Sequence, residues 1–484
     1  MSARRWTATR VAVLLLAGGA PAASAQVPDR VTMADAIAEA LDRNTAVRQA
    51  RASVQVADGQ VREAWATVLP DINATASYQR NFLVQENFLP AFIFDPGAPP
   101  DSLIGVKFGA ENNWFAGFTV SQPLFQVDAF IGVGAAGRYR ALERERARGA
   151  IQQVVTEVRR RYFEVLAALE LVRLNQSSVT RVRATLAETQ ARYRAGLTSE
   201  YDVLRFEVQL ANLEPQLRRA QDAVRSTTRT LLIAMGRDTD GAVEVVGSLA
   251  EMNVVNLDEN SPDNAALIAL SGPSLRYADL DSVFATALAE RTDVRQAELG
   301  ISVEQARLKA ERAQLFPKVS LFGAYNFAAQ DAGSPNFFGE NTTQSSWAGL
   351  RIELPIFRGF RESARMQQAR AYIDQNRASL ELAREQLVNE LRTLVDAIAE
   401  TQARVVSQNR AVAQAQRGFE IASAEYREGL GSQLQITDAE LALQESEYNY
   451  AQAVFEHLIA RSNLDAALGT VPDDVDVVGE LARR

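Results

Sequence analysis

The apolar residues of this chain recur every seven positions along one long stretch, from residue 126 to about residue 196. Each member of the series follows the one before it by seven residues: Val158, Val165, Val172, Val179, Leu186 and Tyr193. A seven-residue apolar repeat is typical of a helix that supercoils left-handedly against partner helices. About 70 residues with a rise of about 1.5 Å each predict a rod of roughly 105 Å.

The same pattern occurs a second time, 233 residues further along the chain. This second series contains Leu391, Ile398, Val405, Val412, Phe419 and Tyr426. A duplication of this size decides the fold class, because each half must then contain the same elements in the same order. The sequence therefore predicts one long helix that is present twice in the same register.

Four shorter stretches alternate apolar and polar side chains with a period of two, which is typical of strands with one apolar face. They are predicted at residues 72–79, 114–122, 319–327 and 348–354, with Pro123 ending the second strand. The apolar faces carry Tyr78, Phe118, Leu350 and Ile352. The opposite faces carry Thr119, Arg351 and Glu353.

Helices and turns complete each half. A single helix is predicted at 31–69 and another at 275–316, and a proline stops each of them. A long loop is predicted at 82–113. After each long helix, a turn that contains glycine precedes a second helix. In the first half this helix is predicted at 200–235, with a kink at Pro215, and in the second half it ends at Gly469. The predicted organisation is a signal peptide at 1–25, a first repeat at 26–236, a linker at 237–274, a second repeat at 275–469 and a tail at 470–484.

Composition and charge narrow the class of protein. The first 25 residues have the arginines, apolar core and small-residue cleavage site of a secretory signal. The net charge of −9 at pH 7 argues against nucleic acid as a partner. The chain has no cysteine, which excludes disulfides, thiolate metal sites and cysteine nucleophiles. No later stretch has about 18 uninterrupted apolar residues, so no membrane-spanning helix is expected.

A secreted chain without such a helix can still cross an outer membrane as a β-barrel. Strands of about ten residues are long enough to cross a bilayer. Four strands cannot close, so the barrel must be shared between copies of the chain. Two copies give a tube filled by its own side chains, whereas three give about twelve strands and a water-filled bore. The charges of Arg351 and Glu353 favour the barrel with the water-filled bore. Thr119 is then expected to face the lumen as well, and the apolar faces are expected to contact lipid.

The duplicated order helix–strand–strand–long helix–helix resembles the outer membrane efflux proteins, the TolC-like channels. The resemblance rests on Pro70, Ser121-Gln122-Pro123-Leu124-Phe125, Tyr193-Arg194-Ala195-Gly196-Leu197, Leu354-Pro355-Ile356-Phe357 and Tyr426-Arg427-Glu428-Gly429-Leu430. It implies a homotrimer with a twelve-strand barrel in the outer membrane that continues as a twelve-helix tunnel across the periplasm. It also implies a passive exit duct for efflux of small molecules or for type I protein export, with an inner-membrane pump and a periplasmic adaptor as partners.

The resemblance places two functions at the tips of the long helices. The turns at Gly196-Leu197 and Gly429-Leu430 are expected to dock the adaptor. Acidic residues beyond the turns, Asp202 and Asp438, are expected to narrow the mouth and attract cations. Gln435 precedes Asp438 by one turn, and Gly431 replaces an arginine that is common in this turn. Tyr193 and Tyr426 complete the predicted gate from the last heptad step of each long helix.

Other features of the sequence have less specific interpretations. Residues 132–137 match a dinucleotide-binding fingerprint letter for letter, but a long helix follows where that fold needs a second strand. His457 is the sole histidine, and the cluster Asp473, Asp474 and Asp476 belongs to an acidic tail. We therefore expect no catalysis, no cofactor and no metal site. The alternative function is a structural coiled-coil protein that bridges the envelope layers without conducting, which an absence of single-channel conductance would support.

Overall fold

The computed structural model describes residues 29–99, 101–241, 243–249, 280–333 and 341–470. The predicted signal peptide, the acidic cluster of the tail and most of the predicted linker at 237–274 lie outside these residues. The helices of the two halves match in length, whereas their strands do not.

The first half contains β1 (Asp29–Val31), α1 (Met33–Arg43), α2 (Thr45–Ala66), β2 (Asp71–Arg80), β3 (Glu86–Pro90), β4 (Leu103–Lys107), β5 (Asn112–Phe125), α3 (Val127–Arg194), α4 (Glu200–Met235) and β6 (Val243–Val245). The second half contains α5 (Leu280–Glu290), α6 (Thr292–Ala313), β7 (Lys318–Asp331), β8 (Thr342–Glu353), α7 (Arg361–Glu428) and α8 (Gln433–Leu468).

The long helices predicted from the heptad repeats are confirmed. Helices α3 and α7 each have 68 residues, about 100 Å of helix. Helices α4 and α8 each have 36 residues, and α4 is continuous through Pro215. Helix α3 packs against both α4 and α8, and α8 packs against α7. The four long helices of one chain thus lie side by side in the order α4, α3, α8, α7.

The prediction of one helix at 31–69 and one at 275–316 is wrong, because each stretch contains two helices. Asn44 is extended, with φ −61° and ψ 135°, and it separates α1 from α2. Its side-chain oxygen accepts a hydrogen bond from the amide of Ala46, and its side-chain nitrogen donates one to the carbonyl of Ala234. Arg291 breaks the second stretch in the same way, with ψ 123°. The apolar spacing continues across both breaks, so periodicity alone could not reveal them.

The main sheet is antiparallel, with the strand order β2-β5-β7-β8. The prediction that Pro123 ends its strand is wrong, since β5 continues to Phe125 through an irregular register at Pro123. Pairing of β5 with β2 ends at Ser121, so within the described residues Pro123 lies where β5 has one neighbouring strand, next to the register shift between Pro123 and Phe125. Proline is tolerated at such edges and beside bulges.

The strand register confirms which residues share a face. Phe118 pairs with Tyr325, and Leu321, on the same face as Tyr325, pairs with Leu350. Tyr78, Phe118, Leu350 and Ile352 therefore share one face of the sheet. Thr119, Arg351 and Glu353 share the other face.

The segment predicted as a long loop at 82–113 contains a second hairpin, so that prediction is wrong. Strands β3 and β4 pair antiparallel, with Glu86 opposite Lys107 and their charged groups 3.4 Å apart. A turn of 3-10 helix at Ala91–Ile93 follows β3. The prolines of this segment suggested a loop, and the two strands are only five residues long, too short for a clear alternation of apolar and polar side chains.

The largest apolar core lies where α3 meets α1, β1, β6, α4 and α8. The heptad residues Val158 and Val165 are buried there, together with Tyr162 and Phe163. The Tyr162 hydroxyl donates to backbone carbonyl groups of Val31 and Val246. Glycine is required at the end of α4, because a Cβ on Gly236 would lie 2.8 Å from the backbone of Arg43. None of the helices within the described residues combines the length and the apolar character that a membrane-spanning helix needs.

Candidate functional site

The two turns at the ends of the long helices have the same local structure. Ser199 and Ser432 each begin the returning helix with a capping box, in which Asp202 and Gln435 are the third helical residues. The Asp202 carboxylate accepts from the amide of Ser199 at 3.2 Å, and the Gln435 side-chain oxygen accepts from the amide of Ser432 at 2.7 Å. Asp202 and Gln435 are thus structural counterparts.

The hydrogen bonds of Asp202 also determine its charge. Partial burial tends to raise the pKa of this carboxyl, but hydrogen bonds from Ser199 and Thr198 outweigh it and hold the pKa below its ordinary value. Both hydroxyl groups donate at 2.7 Å to the same carboxylate oxygen. Asp202 is therefore ionised and oriented toward its own turn. Asp438, one helical turn beyond Gln435, is exposed.

The two tyrosines at the final heptad step have different environments. Tyr426 is 6% exposed, whereas Tyr193 is 44% exposed. The Tyr426 hydroxyl lies 3.0 Å from the hydroxyl of Thr189 on α3, and its ring packs edge-on against Phe206 of α4. The end of α7 is therefore attached to the first helix pair through Tyr426.

Arg192 provides a second connection between α3 and the end of α7. Its guanidinium donates to the carbonyl of Tyr426 at 2.6 Å and to the carbonyl of Arg427 at 2.9 Å. The same group lies 5.3 Å from the centre of the Tyr426 ring. A cation at a helix C-terminus satisfies free carbonyl groups and interacts favourably with the helix dipole. The sequence reasoning missed this residue.

Arg181 joins α3 to α8 further along the rod. Its guanidinium lies 2.9 Å from the carboxylate of Glu440 and 3.2 Å from that of Glu447. Glu440 is 3% exposed, and this burial raises its pKa above the ordinary value even though Arg181 partly offsets it. The spacing of seven residues between the two glutamates puts them on one helix face, a signal that could have identified this site.

The polar face of the sheet carries an aromatic stack beside its charged residues. The Arg351 guanidinium lies 4.8 Å from the centre of the Phe322 ring, and Phe322 packs edge-on against Trp347 at 5.4 Å. The Phe322 ring covers Gly349, where an added Cβ would lie 3.1 Å from the ring. Glu353 forms an ion pair with Arg358 at 3.4 Å. The period of two predicted the face of Arg351 but not its contact with Phe322.

Residues with an enzymatic or ligand-binding interpretation lie in helices. His457 is fully buried in α8, with Nδ1 at 3.1 Å from the Thr401 hydroxyl. Gly132 and Gly137 lie inside α3, not in the strand–turn–helix unit that a dinucleotide fingerprint requires. Among the described residues, no group of three or more histidine, cysteine or acidic side chains could hold a metal ion.

Comparisons with known proteins agree with this architecture. A family model described as outer membrane efflux protein matches residues 36–237 and 283–470. Outer membrane protein OprJ of Pseudomonas aeruginosa is 26% identical over 443 residues, which cover 89% of this chain and 82% of OprJ. Cation efflux system protein CusC of Escherichia coli K12 is 24% identical over 430 residues, 87% of this chain and 83% of CusC. A solved CusC structure superposes with a TM-score of 0.70 at 18% identity, covering 91% of this chain and 92% of that one.

Proposed function

The chain belongs to the outer membrane efflux protein family, and we propose that three copies of it close one continuous duct from the periplasm to the exterior. Its function is that of an exit channel in the outer membrane of a Gram-negative bacterium. The number of copies, the path of the duct, its gate and its partners are the proposal.

The main sheet is the observation that supports this proposal most strongly. Within the described residues, each of its two outer strands, β2 and β8, pairs with one neighbouring strand instead of two. In that sheet β2 pairs with β5 and β8 pairs with β7. An unpaired strand edge in lipid leaves backbone groups without partners, at a cost of several kcal/mol each. Pairing of β8 with β2 of the next copy removes both edges. Three copies supply about twelve strands, enough for a water-filled bore, whereas about eight strands make a tube filled by side chains.

The helices support the same arrangement. Each chain contributes four long helices side by side, so three copies supply the twelve-helix tunnel that continues the barrel. Thr119, Arg351 and Glu353 then face the lumen, and the face that carries Leu350 and Ile352 contacts outer-membrane lipid. Leu350 and Ile352 are 64% and 72% exposed in the single chain, as a lipid-facing surface requires.

The partners follow from the tips of the helices. Leu197 and Leu430 are 70% and 83% exposed beside Gly196 and Gly429, and they offer matched apolar contacts at the far end of the rod. We assign these turns to the docking of a periplasmic adaptor protein. An inner-membrane pump would then supply the energy, since a passive duct has no energy source of its own. Replacing Gly196 or Gly429 by a bulky residue should abolish efflux while trimers remain in the outer membrane.

The gate is assigned to the same end of the duct. The contacts of Tyr426 and Arg192 connect the end of α7 to α3, so these contacts must break for the duct to open. Tyr193 stays exposed in both states. Asp438 is the more effective of the two acids, because Asp202 directs its carboxylate toward its own turn together with Ser199. Asp438→Ala should therefore weaken cation selectivity more than Asp202→Ala, and Gln435→Ala should change it least.

Cysteine crosslinking combined with the mass in detergent tests the trimer. The chain has no cysteine, so a panel of pairs, with one cysteine on β2 near Ala74 and one on β8 near Ala348, introduces the sole reactive thiols. Both positions are on the apolar face of an outer strand. We expect crosslinked products that stop at three chains. In a matched panel, the cysteine on β8 is moved to Ala116 of the inner strand β5, and these pairs should not crosslink one chain to another. A ladder that stops at two chains, or a monomeric mass, would overturn the trimer.

A further inference from the structure

The chain passes from strand to long helix differently in its two halves. In the first half β5 ends at Phe125 and α3 begins at Val127. In the second half β8 ends at Glu353 and α7 begins at Arg361, so that residues 354–360 form a connection outside both elements. The path from Pro355 to Tyr426 is also one residue longer than the path from Pro123 to Tyr193. We call residues 354–360 the junction segment.

The junction segment exposes large apolar side chains. The exposed fractions are 57% for Leu354, 94% for Ile356, 73% for Phe357 and 77% for Phe360. The rings of Phe357 and Phe360 pack edge to face, with their centres 5.5 Å apart. This surface continues the apolar face of β8, because Ile352 and Leu350 precede it on the same side of the strand.

The backbone of the junction segment ends in an unusual conformation. Gly359 and Phe360 are both left-handed, with φ values of 63° and 62°. Phe360 is the one residue other than glycine with a positive φ among the described residues. Such a conformation is unfavourable for a bulky side chain and persists where the surroundings impose it, often at functional positions.

The first half of the chain shows how much a neighbouring strand can cover. Leu124 and Phe125 correspond to Ile356 and Phe357, and the adjacent strand β7 already lies beside them. They are nevertheless 51% and 46% exposed. In a closed barrel β2 of the next copy takes the place beside β8 that β7 takes beside β5. A second copy would therefore leave about half of the corresponding surface of the junction segment open.

We propose that the junction segment inserts into the headgroup–acyl boundary of the periplasmic membrane leaflet and fixes the depth of the barrel. This inference rests on the proposed function, since it requires β8 to cross the outer membrane. The segment follows the end of β8 from which the long helix departs, at the level where transmembrane barrels carry aromatic girdles. Arg361 follows Phe360 directly, and its side chain is 52% exposed, with the guanidinium 3.4 Å from the Glu362 carboxylate. An exposed guanidinium at this level could also meet lipid phosphate groups. The ligand is the glycerophospholipid interface itself.

Spin labels on single cysteines test this inference in the intact protein. Labels replace Ile356, Phe357 and Phe360, one at a time, in protein reconstituted into phosphatidylethanolamine and phosphatidylglycerol vesicles. Collisions with oxygen report lipid, and collisions with a water-soluble nickel chelate report water. Leu350→Cys serves as the lipid control and Arg417→Cys, on the exposed surface of α7, as the water control. We expect oxygen accessibility close to the Leu350 label and nickel accessibility severalfold below that of the Arg417 label.

The other outcomes separate this inference from the proposed function. Nickel accessibility equal to that of the Arg417 label, with a lipid-exposed label at Leu350, would overturn the inference and leave the duct intact. If neither oxygen nor the nickel chelate reached the labels at the junction segment, a second copy would cover the segment. That result would also overturn the inference. A water-exposed label at Leu350 would contradict the proposed barrel, and the inference would fail with it.

Discussion

The hydroxyl groups of Tyr426 and Thr189 lie 3.0 Å apart and join the end of α7 to α3. Thr189 already donates its proton to the carbonyl of Thr185 at 2.8 Å, so Tyr426 is the donor between the two hydroxyl groups. Tyr193, which occupies the matching position on α3, is exposed. The two helix pairs therefore end differently, and only one of these two tyrosines is tied to a neighbouring helix.

Tyr426→Phe should loosen this end of the molecule. The substitution keeps the ring against Phe206 and removes one buried hydrogen bond, worth about 1 kcal/mol. If these contacts keep the resting duct closed, the variant should show a larger open fraction in single-channel recordings. Tyr193→Phe is the matched control and should behave like the unmodified protein. Equal effects of the two substitutions would contradict the gating role of Tyr426.

Arg181→Ala should destabilise the helix bundle far more than Arg183→Ala. Removing Arg181 leaves the buried Glu440 without its cation, and breaking a buried pair in this way costs about 3–5 kcal/mol. Arg183 pairs with Glu214 at 3.0 Å, but both side chains are more than half exposed, so its loss should cost about 0–1 kcal/mol. Urea unfolding of both variants measures the difference. Similar midpoints would show that the pair with Glu440 is weak.

Stability should decrease as the pH falls from 6.5 toward 4 because of His457. Burial, together with the nearby Arg461, lowers the pKa of this imidazole from 6.5 to about 4. Below pH 6.5 the unfolded chain binds a proton that the native imidazole does not, so the native state loses stability. At pH 5 the loss is about 2 kcal/mol relative to neutral pH.

The control for this prediction is His457→Gln. Thr401 donates its proton to backbone carbonyl groups of its own helix, so Nδ1 of His457 is the donor toward the Thr401 oxygen. A glutamine amide can supply a similar donor without titrating. Urea midpoints of this variant should change less between pH 6.5 and pH 5 than those of the unmodified protein. If the urea midpoints of the variant and the unmodified protein changed equally between pH 6.5 and pH 5, the pH dependence would belong to other groups.

Leu350→Arg and Arg351→Leu should affect membrane insertion unequally. The two residues are adjacent on β8 but lie on opposite faces. In the proposed barrel, a charge on the lipid face near mid-membrane would cost about 2–4 kcal/mol, whereas the lumen would tolerate the loss of a charge. Recovery of trimers from the outer membrane measures the effect. Equal impairment by both substitutions would contradict the assigned faces.

The repeating elements could be predicted from the sequence because their apolar spacing is long and regular. The heptad series predicted both long helices, and the period of two placed Leu350 and Arg351 on opposite faces. The breaks at Asn44 and Arg291 could not be predicted in this way, since each depends on one residue that leaves the helical conformation while the spacing continues. Pro123 was misinterpreted because it lies where β5 pairs with β7 alone, so its missing backbone donor does not end the strand.

The contacts of the candidate site were less accessible from the sequence. Tyr193 and Tyr426 are equivalent in the repeat, yet Tyr426 alone meets Thr189 and Arg192, which depends on how the two halves pack together. Asp202 and Gln435 were predicted as gate residues from a family pattern, and their capping boxes with Ser199 and Ser432 are local features that the sequence also contains. The roles of these residues in gating stay predictions.

Conductance of the purified protein in a planar lipid bilayer tests the central claim most directly. The proposed trimer predicts discrete, reproducible single-channel steps, with a preference for cations that decreases in Asp438→Ala. Protein that inserts into the bilayer as an intact trimer but gives no steps, even after Tyr426→Phe and Arg192→Ala release the end of α7, would contradict the duct. That result would favour a structural protein that bridges the envelope layers without conducting.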